Sequence, residues 1–149
     1  MKYAEDLRPG LEFPFDSWTL TEDAILEYAR QWDPLPIHTD PVAAKDGPHG
    51  GVIASGLHTM AVYQRLVADA LWRHVAGIGG RGFQIRFTKP VRPGTTLTGR
   101  AVVERVTHRP ERGNAVVAIT AELTDDEGAV VLEVGVEAVL LRRTPAGEA

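Results

Sequence analysis

The sequence contains no cysteine, which excludes disulfide-bonded scaffolds, thiolate zinc sites and cysteine nucleophiles. It has no long hydrophobic run and no apolar stretch at its N-terminus, so we expect no membrane span, no signal peptide and a cytoplasmic location. Basic residues are not in excess, with 16 Lys and Arg against 20 Asp and Glu, and this balance argues against a nucleic-acid partner. What is present, 149 residues of which 44% are hydrophobic and 24% charged, is typical of one folded globular domain.

The first half of the chain is predicted to be helical. Thr21 is predicted to cap a helix that ends near Asp33, because the following Pro34 disfavours helical geometry in the residue before it. Asp40 is predicted to cap a short helix, and a longer helix is predicted over residues 53–75, which would be roughly 34 Å long. The apolar residues of this longer helix recur at helical spacing; they are Leu57, Met60, Ala61, Val67, Leu71 and Val75.

The second half of the chain is predicted to form strands, because apolar residues alternate there with polar ones. Short turn-rich segments separate the runs and favour an antiparallel sheet; the runs cover residues 83–87, 97–103, 115–123 and 130–140. The glycine-rich segment just before the first of these runs is expected to be a flexible exit from the long helix, over residues 77–82.

These elements predict an α+β fold in which a curved antiparallel sheet of about five strands wraps one long central helix. We expect a single domain over residues 1–149, with a core from about residue 9 to residue 143 and a loose C-terminal tail. A single thin sheet on one helix leaves strand edges and apolar surface uncovered, so we expect a second copy of the chain to cover them.

A carboxylate and an imidazole lie five positions apart in the segment Asp33-Pro-Leu-Pro-Ile-His38. Two prolines stiffen this segment, so both side chains can be held towards one point with little entropy left to lose. There they could polarise one water molecule and move its proton. The spacing by itself leaves the alternative open, since an Asp before a Pro often ends a helix and a lone loop His is usually structural.

Small residues precede the long helix in the segment Gly50-Gly-Val-Ile-Ala-Ser-Gly56-Leu-His-Thr59. A glycine at a helix start leaves backbone N–H groups that a ligand can approach, and these groups favour an anion or a developing oxyanion. Tight packing of the helix on the sheet would also require small residues here, so this alternative stays open as well.

Taken together, the two segments resemble the MaoC-like dehydratases, the hot-dog-fold relatives of the (R)-specific enoyl-CoA hydratases. The later segment Phe87-Thr-Lys-Pro-Val-Arg-Pro-Gly94-Thr-Thr-Leu97 resembles the strand-turn-strand of the same family. The resemblance implies a homodimer or a dimer of dimers. It implies reversible addition of water to a trans-2-enoyl thioester, which gives a (3R)-3-hydroxyacyl thioester.

The resemblance also implies roles for individual residues. Asp33 and His38 would hold the attacking water, and the N–H of Gly56 would donate to the thioester carbonyl. The substrate would be carried on coenzyme A or on an acyl carrier protein, with no metal and no other cofactor.

One position departs from the family's pattern. The hydratases carry a hydroxyl side chain two turns into the long helix, and the matching residue here, eight after Gly56, is Gln64. Ser55 and Thr59 supply other hydroxyl groups nearby in sequence. We therefore treat Gln64, Ser55 and Thr59 as candidate substrate-binding residues.

Two further residues are candidates for substrate contact. His58 could line the pocket, although an interface or packing histidine is the more ordinary interpretation. Lys89 could meet the phosphates of the substrate's carrier, although a solvated basic edge is the more frequent case. The five histidines show no metal-binding spacing, so we expect no metal site.

Two other functions fit the same fold. An acyl-CoA thioesterase would present a carboxylate from the long helix, where the only acid is Asp69, well past the start. A non-catalytic acyl-thioester-binding protein would not need the pair Asp33 and His38. Fold alone does not decide between these functions and hydration.

Overall fold

Side-chain caps and prolines divide the first half of the chain into four helices. The computed structural model describes residues 1–144, and in it the Thr21 hydroxyl accepts a hydrogen bond from the N–H of Ala24, as predicted. The Asp40 carboxylate likewise caps the third helix. The helices are α1 (Glu22–Trp32), α2 (Pro36–Thr39), α3 (Pro41–Lys45) and α4 (Gly56–Ala70).

Helix α4 is the longest helix, but it is shorter than predicted at both ends. Its 15 residues span about 22 Å. It cannot begin at Ile53 because the backbone of Ser55 is not helical, with φ −55° and ψ 138°. The N–H of Leu57, which would donate to the Ile53 carbonyl in a continuous helix, donates to the Ser55 hydroxyl instead. After Ala70 the chain tightens into a 3-10 turn over Trp72–His74.

Six strands form one antiparallel sheet that packs against α4. The order of the five main strands is β1-β4-β5-β6-β3, and β2 also pairs with β4. The strands are β1 (Glu12–Pro14), β2 (Trp18–Leu20), β3 (Gly77–Phe87), β4 (Thr95–Arg109), β5 (Asn114–Thr124) and β6 (Val130–Leu141). The predicted α+β architecture is therefore confirmed.

The prediction of a flexible exit over residues 77–82 was wrong, because β3 begins at Gly77. The backbone of this segment pairs with β6 from Gly77 opposite Leu140 onwards, with two register shifts among the glycines. Glycine has a low propensity for strands, so the sequence did not indicate a strand here. The hydrogen bonds with β6 stabilise the strand despite that low propensity.

The core lies between α4 and the inner face of the sheet. The alternating rows predicted for β5 and β6 are buried as expected, including Ile119 and Leu132. The buried face of α4 differs from the prediction: it consists of Thr59, Val62, Tyr63, Leu66 and Val67. Leu57, which was placed in the apolar stripe, is 55% exposed.

Strand β3 has a row of apolar side chains that α4 does not bury. Phe83 and Ile85 lie opposite Val136 and Val134 of β6, which are buried, but they are themselves exposed. The same holds for Phe87 at the end of the strand. Among residues 1–144, β3 pairs with β6 alone, so one of its edges carries no partner strand.

No helix in the described part of the chain is long and apolar enough to cross a membrane. The expected loose C-terminal tail lies outside the described residues, apart from its first residue, Thr144.

Candidate active site

Asp33 and His38, which the sequence placed five positions apart, meet in space. His38 Nε2 lies 3.4 Å from Asp33 Oδ2, and the two side chains are 8% and 25% exposed, respectively. Asp33 is the residue directly after α1, whereas His38 lies inside the short helix α2 and not in the rigid, proline-stiffened loop that was expected. One turn of helix between the two residues brings the imidazole back towards the carboxylate.

A backbone carbonyl fixes the orientation of the His38 ring. Nδ1 lies 2.7 Å from the carbonyl oxygen of Ile53, and His38 is buried. Because a carbonyl oxygen can only accept, Nδ1 carries the hydrogen. In the neutral ring the lone pair is therefore on Nε2, the nitrogen that faces Asp33.

Ser55 is fully buried and joins Asp33 to the start of α4. Its hydroxyl donates to Asp33 Oδ2 over 2.7 Å and accepts from the N–H of Leu57 over 3.3 Å. Its hydrogen-bonding capacity is thus used inside the protein, at the carboxylate and at the helix N-terminus.

Gly56 is the first residue of α4, and its N–H has no acceptor within residues 1–144. The ring of Phe87 packs directly on it: a Cβ atom at this position would lie 2.6 Å from Phe87 Cζ. A side chain here would therefore displace the ring. The positive end of the α4 helix dipole lies at the same place, so the free N–H and the dipole together favour binding of an oxyanion.

A cavity of about 330 Å³ opens beside these groups. Gly56, Thr59 and His38 form one side of it, and the end of β3 with the following turn, residues 87–91, forms the other. Thr59 is 3% exposed and lies on the cavity wall, where its hydroxyl is available to a ligand.

Lys89 lines this cavity, but its charge is already matched. Its Nζ donates to Asp125 Oδ2 over 2.5 Å, in the turn between β5 and β6. This hydrogen bond raises the pKa of Lys89 and lowers the pKa of Asp125. Lys89 thus ties two turns together at the rim.

The structure separates Gln64 from the other candidates. It lines a second cavity, also of about 330 Å³, with apolar neighbours that include Trp72, Phe83 and Ala138. Its side chain is not among those that surround His38 and Gly56.

His58 packs against a helix. Its ring stacks on Tyr28 of α1 with 4.4 Å between ring centroids, and its Nδ1 is buried without a hydrogen-bond partner in the described residues. Burial lowers the pKa of His58. The ordinary interpretation, a packing histidine, therefore accounts for its contacts.

Two contributors to the site were not found from the sequence. The Ile53 carbonyl is a backbone group, which no residue pattern reveals. Phe87 was identified as the end of an alternating row and the start of the strand-turn-strand segment, with no role at the site, and its contact with Gly56 depends on the fold. No group of three or more His, Asp or Glu side chains in the described part of the chain is arranged to hold a metal ion.

Comparisons with known proteins agree with this architecture. The chain is 27% identical over 135 residues to Uncharacterized protein YdeM of Bacillus subtilis, covering 90% of this chain and 94% of that protein. It is 32% identical over 113 residues to Protein MaoC of Klebsiella aerogenes, which covers 74% of this chain but only 33% of that protein.

Solved structures are similar over nearly the whole chain. The MaoC-like dehydratase from Rhodospirillum rubrum superposes with a TM-score of 0.89 at 31% identity, covering 97% of this chain and 99% of the other. R-Hydratase PhaJ1 from Pseudomonas aeruginosa, with a TM-score of 0.75 and 20% identity over 99% of this chain and 92% of its own, shares the fold. The hot-dog fold expected from the sequence is thereby confirmed.

The model of the MaoC like domain matches residues 7–126, which contain the Asp33–His38 pair and the start of α4. The chain therefore belongs to the MaoC-like domain family.

Proposed function

We propose that this protein is a hydratase that adds water reversibly to a trans-2-enoyl thioester and gives a (3R)-3-hydroxyacyl thioester. One observation carries the proposal: His38, which lies 3.4 Å from Asp33, lines a cavity together with the first residue of α4, Gly56. A water-activating pair and an oxyanion donor are the two functions that this reaction requires. Membership of the MaoC-like family supports the assignment.

The chemistry follows from where charge and protons must go. Asp33 and His38 hold a water molecule and take its proton while its oxygen bonds to Cβ of the enoyl group. The double-bond electrons move towards the carbonyl, so negative charge builds on the thioester oxygen as an enolate. The Gly56 N–H and the N-terminus of α4 stabilise that oxygen. The enolate collapses as the Asp33–His38 pair returns the proton taken from water to Cα.

Each step of this scheme uses groups that the chain itself carries. Hydration involves no net oxidation or reduction, so we propose that the reaction needs no redox cofactor. We also propose that it needs no metal, because the Asp33–His38 pair would activate the water and the Gly56 N–H would stabilise the oxyanion. Coenzyme A or an acyl carrier protein would be present only as the carrier of the acyl group. Thr59 lies on the cavity wall in a position to contact the substrate.

We also propose that the working form is a homodimer or a dimer of dimers. The uncovered apolar row on β3, with Phe83 and Ile85 exposed, supports a second copy at this edge of the sheet. An unpaired strand edge with apolar side chains is a site where chains associate.

A thioesterase is the principal alternative, and the surroundings of Asp69 disfavour it. This residue lies 13 positions after Gly56, about 20 Å along α4. Its carboxylate is bound by Arg65 and Arg73, whose hydrogen bonds lower the pKa of Asp69. It is therefore not placed to activate water at the Gly56 end of the helix.

The proposal is tested by measuring two signals, enoyl absorbance and free thiol, in the same reaction. Wild-type protein is given short and medium trans-2-enoyl-CoA substrates, while the conjugated enoyl absorbance and the release of free thiol are both measured. Loss of absorbance without thiol release is the expected result. Thiol release would identify a thioesterase, and binding without turnover would identify a non-catalytic acyl-thioester-binding protein.

A further inference from the structure

We infer that Ser55 is a positioning residue that holds the Asp33 carboxylate in one orientation and leaves Oδ1 as the oxygen that binds the attacking water. The inference rests on the proposed hydration, in which Asp33 activates water. It assigns to Ser55 a role through Asp33, without contact to the substrate.

The two carboxylate oxygens of Asp33 have different surroundings. Oδ2 accepts from the Ser55 hydroxyl over 2.7 Å and lies 3.4 Å from His38 Nε2. Oδ1 accepts no hydrogen bond from residues 1–144. Because an ionised carboxylate has lone pairs on both oxygens, Oδ1 is the atom left free to accept from a water molecule.

The direction of the Ser55 hydrogen bond is determined by its second partner. The N–H of Leu57 can only donate, so the Ser55 oxygen accepts there with a lone pair. The single hydroxyl hydrogen is then free for Asp33 Oδ2. Since Ser55 is fully buried, water does not compete for either contact.

This arrangement links the two halves of the proposed mechanism. Ser55 immediately precedes Gly56, the proposed oxyanion donor, and its hydroxyl contacts Asp33, the proposed water-holding carboxylate. One side chain thus sets the distance between the site of attack and the site of developing charge. An error on the order of 1 Å in that distance can reduce the rate by about a hundredfold.

No other candidate side chain in the described residues makes this contact. Thr59 is buried but donates no hydrogen bond to Asp33, and Gln64 lines the second cavity. The orientation of the carboxylate therefore depends on Ser55 and on the more distant His38.

The test compares kcat and KM for wild type, Ser55→Ala, Asp33→Ala and the double variant. Ser55→Ala is expected to lower kcat by about ten- to a hundredfold, the range for loss of a hydrogen bond to a charged group, while KM stays within about twofold. Adding Ser55→Ala to Asp33→Ala is expected to lower kcat no further, because the carboxylate through which Ser55 acts is already absent. Ser55→Thr, which keeps the hydroxyl and the cap, is expected to restore most of kcat.

A matched control separates positioning from loss of a helix cap. Thr21→Ala removes the equivalent cap from α1, where the hydroxyl accepts from Ala24 N–H over 3.2 Å. It is expected to lower the melting temperature as Ser55→Ala does and to leave kcat unchanged. Equal losses of kcat in both variants would overturn the inference, because capping alone would then explain them.

A second measurement keeps the result distinguishable from failure of the proposed function. Denaturant unfolding of the same four proteins gives the coupling free energy between Ser55 and Asp33 without any substrate. Additive effects on unfolding, or a wild-type kcat in Ser55→Ala, would overturn the inference. A different outcome is that Ser55 and Asp33 are coupled in unfolding but the wild type does not hydrate enoyl thioesters. The hydrogen bond would then be established, but the proposed function, and with it a catalytic role for this hydrogen bond, would be overturned.

Discussion

His38 holds the Ile53 carbonyl with Nδ1 at 2.7 Å and turns Nε2 towards Asp33 Oδ2 at 3.4 Å. The second distance exceeds an ordinary hydrogen bond, so the imidazole and the carboxylate are close enough to share a water molecule without being closed on each other. One nitrogen of the ring is therefore structural and the other is available for chemistry.

The two nitrogens of His38 can be separated by substitution. In His38→Asn the side-chain amide retains a donor near the Nδ1 position but loses Nε2, so kcat is expected to fall by about 10²- to 10⁴-fold with little change in the free energy of unfolding. His38→Ala loses both contacts and is expected to be less stable as well as inactive. Wild-type kcat in His38→Asn would exclude Nε2 from the reaction.

The packing of Phe87 on Gly56 predicts a coupled effect on activity. Gly56→Ala keeps the backbone N–H, but the added Cβ would lie 2.6 Å from Phe87 Cζ, so the ring must leave its place on the cavity wall. We expect kcat/KM to fall by about a hundredfold, because the cavity is reshaped at the reacting group.

The same pair supplies its own control. In a Phe87→Ala background the ring is absent, so Gly56→Ala is expected to cause little further loss of kcat/KM. A loss of the same size in both backgrounds would show that the Phe87 ring is not responsible.

The burial of His58 predicts a pH-dependent contribution to stability. Burial lowers the pKa of His58 in the folded protein below the ordinary value of 6.5. Between the two pKa values the unfolded chain binds the proton and the folded chain does not, so the free energy of unfolding rises with pH in this range. The contribution of neutral His58 to stability is therefore lost as pH falls below about 6.5.

His58→Phe keeps a ring to stack on Tyr28 but cannot be protonated. Its free energy of unfolding is therefore expected to fall less than that of wild type between about pH 7 and about pH 5. Denaturant unfolding at a series of pH values measures the difference. Parallel curves for the two proteins would show that His58 does not contribute to this dependence.

The uncovered row on β3 predicts the effect of a charge at the proposed dimer interface. Ile85 is 42% exposed and lies on the inner face of the sheet, so Ile85→Lys is expected to produce monomers in sedimentation equilibrium. Gln84→Lys puts the same charge on the opposite face of the same strand and is expected to leave the dimer intact. A monomeric wild-type protein of 16.2 kDa would rule out the dimer.

Elements set by local chemistry could be predicted from the sequence. Thr21 and Asp40 cap their helices as expected, because a side-chain oxygen and a nearby N–H meet within three residues. The alternation in β5 and β6 gave the correct buried rows for a similar reason, since the side-chain period of a strand is local.

Elements that depend on partners distant in sequence could not be predicted from the sequence. The glycines at the start of β3 form a strand because β6 lies beside them. Ile53 stays out of α4 because both of its backbone groups are bound to α2: its N–H donates to the Ile37 carbonyl, and its carbonyl accepts from His38 Nδ1. At the site, Asp33, His38 and Gly56 were identified from their segments, whereas the contact of Ser55 with Asp33 spans 22 positions and required the fold.

The measurement that tests the account most directly is the hydration rate of Asp33→Asn. The substitution keeps the shape of the side chain and removes its charge, and we expect kcat to fall by about 10²- to 10⁴-fold. Glu27→Gln, a charge-neutralising change at an exposed position of α1, the helix that Asp33 follows, serves as the control and is expected to match wild type. Wild-type rates of enoyl hydration in Asp33→Asn would contradict the account, because the carboxylate would then play no part in activating water.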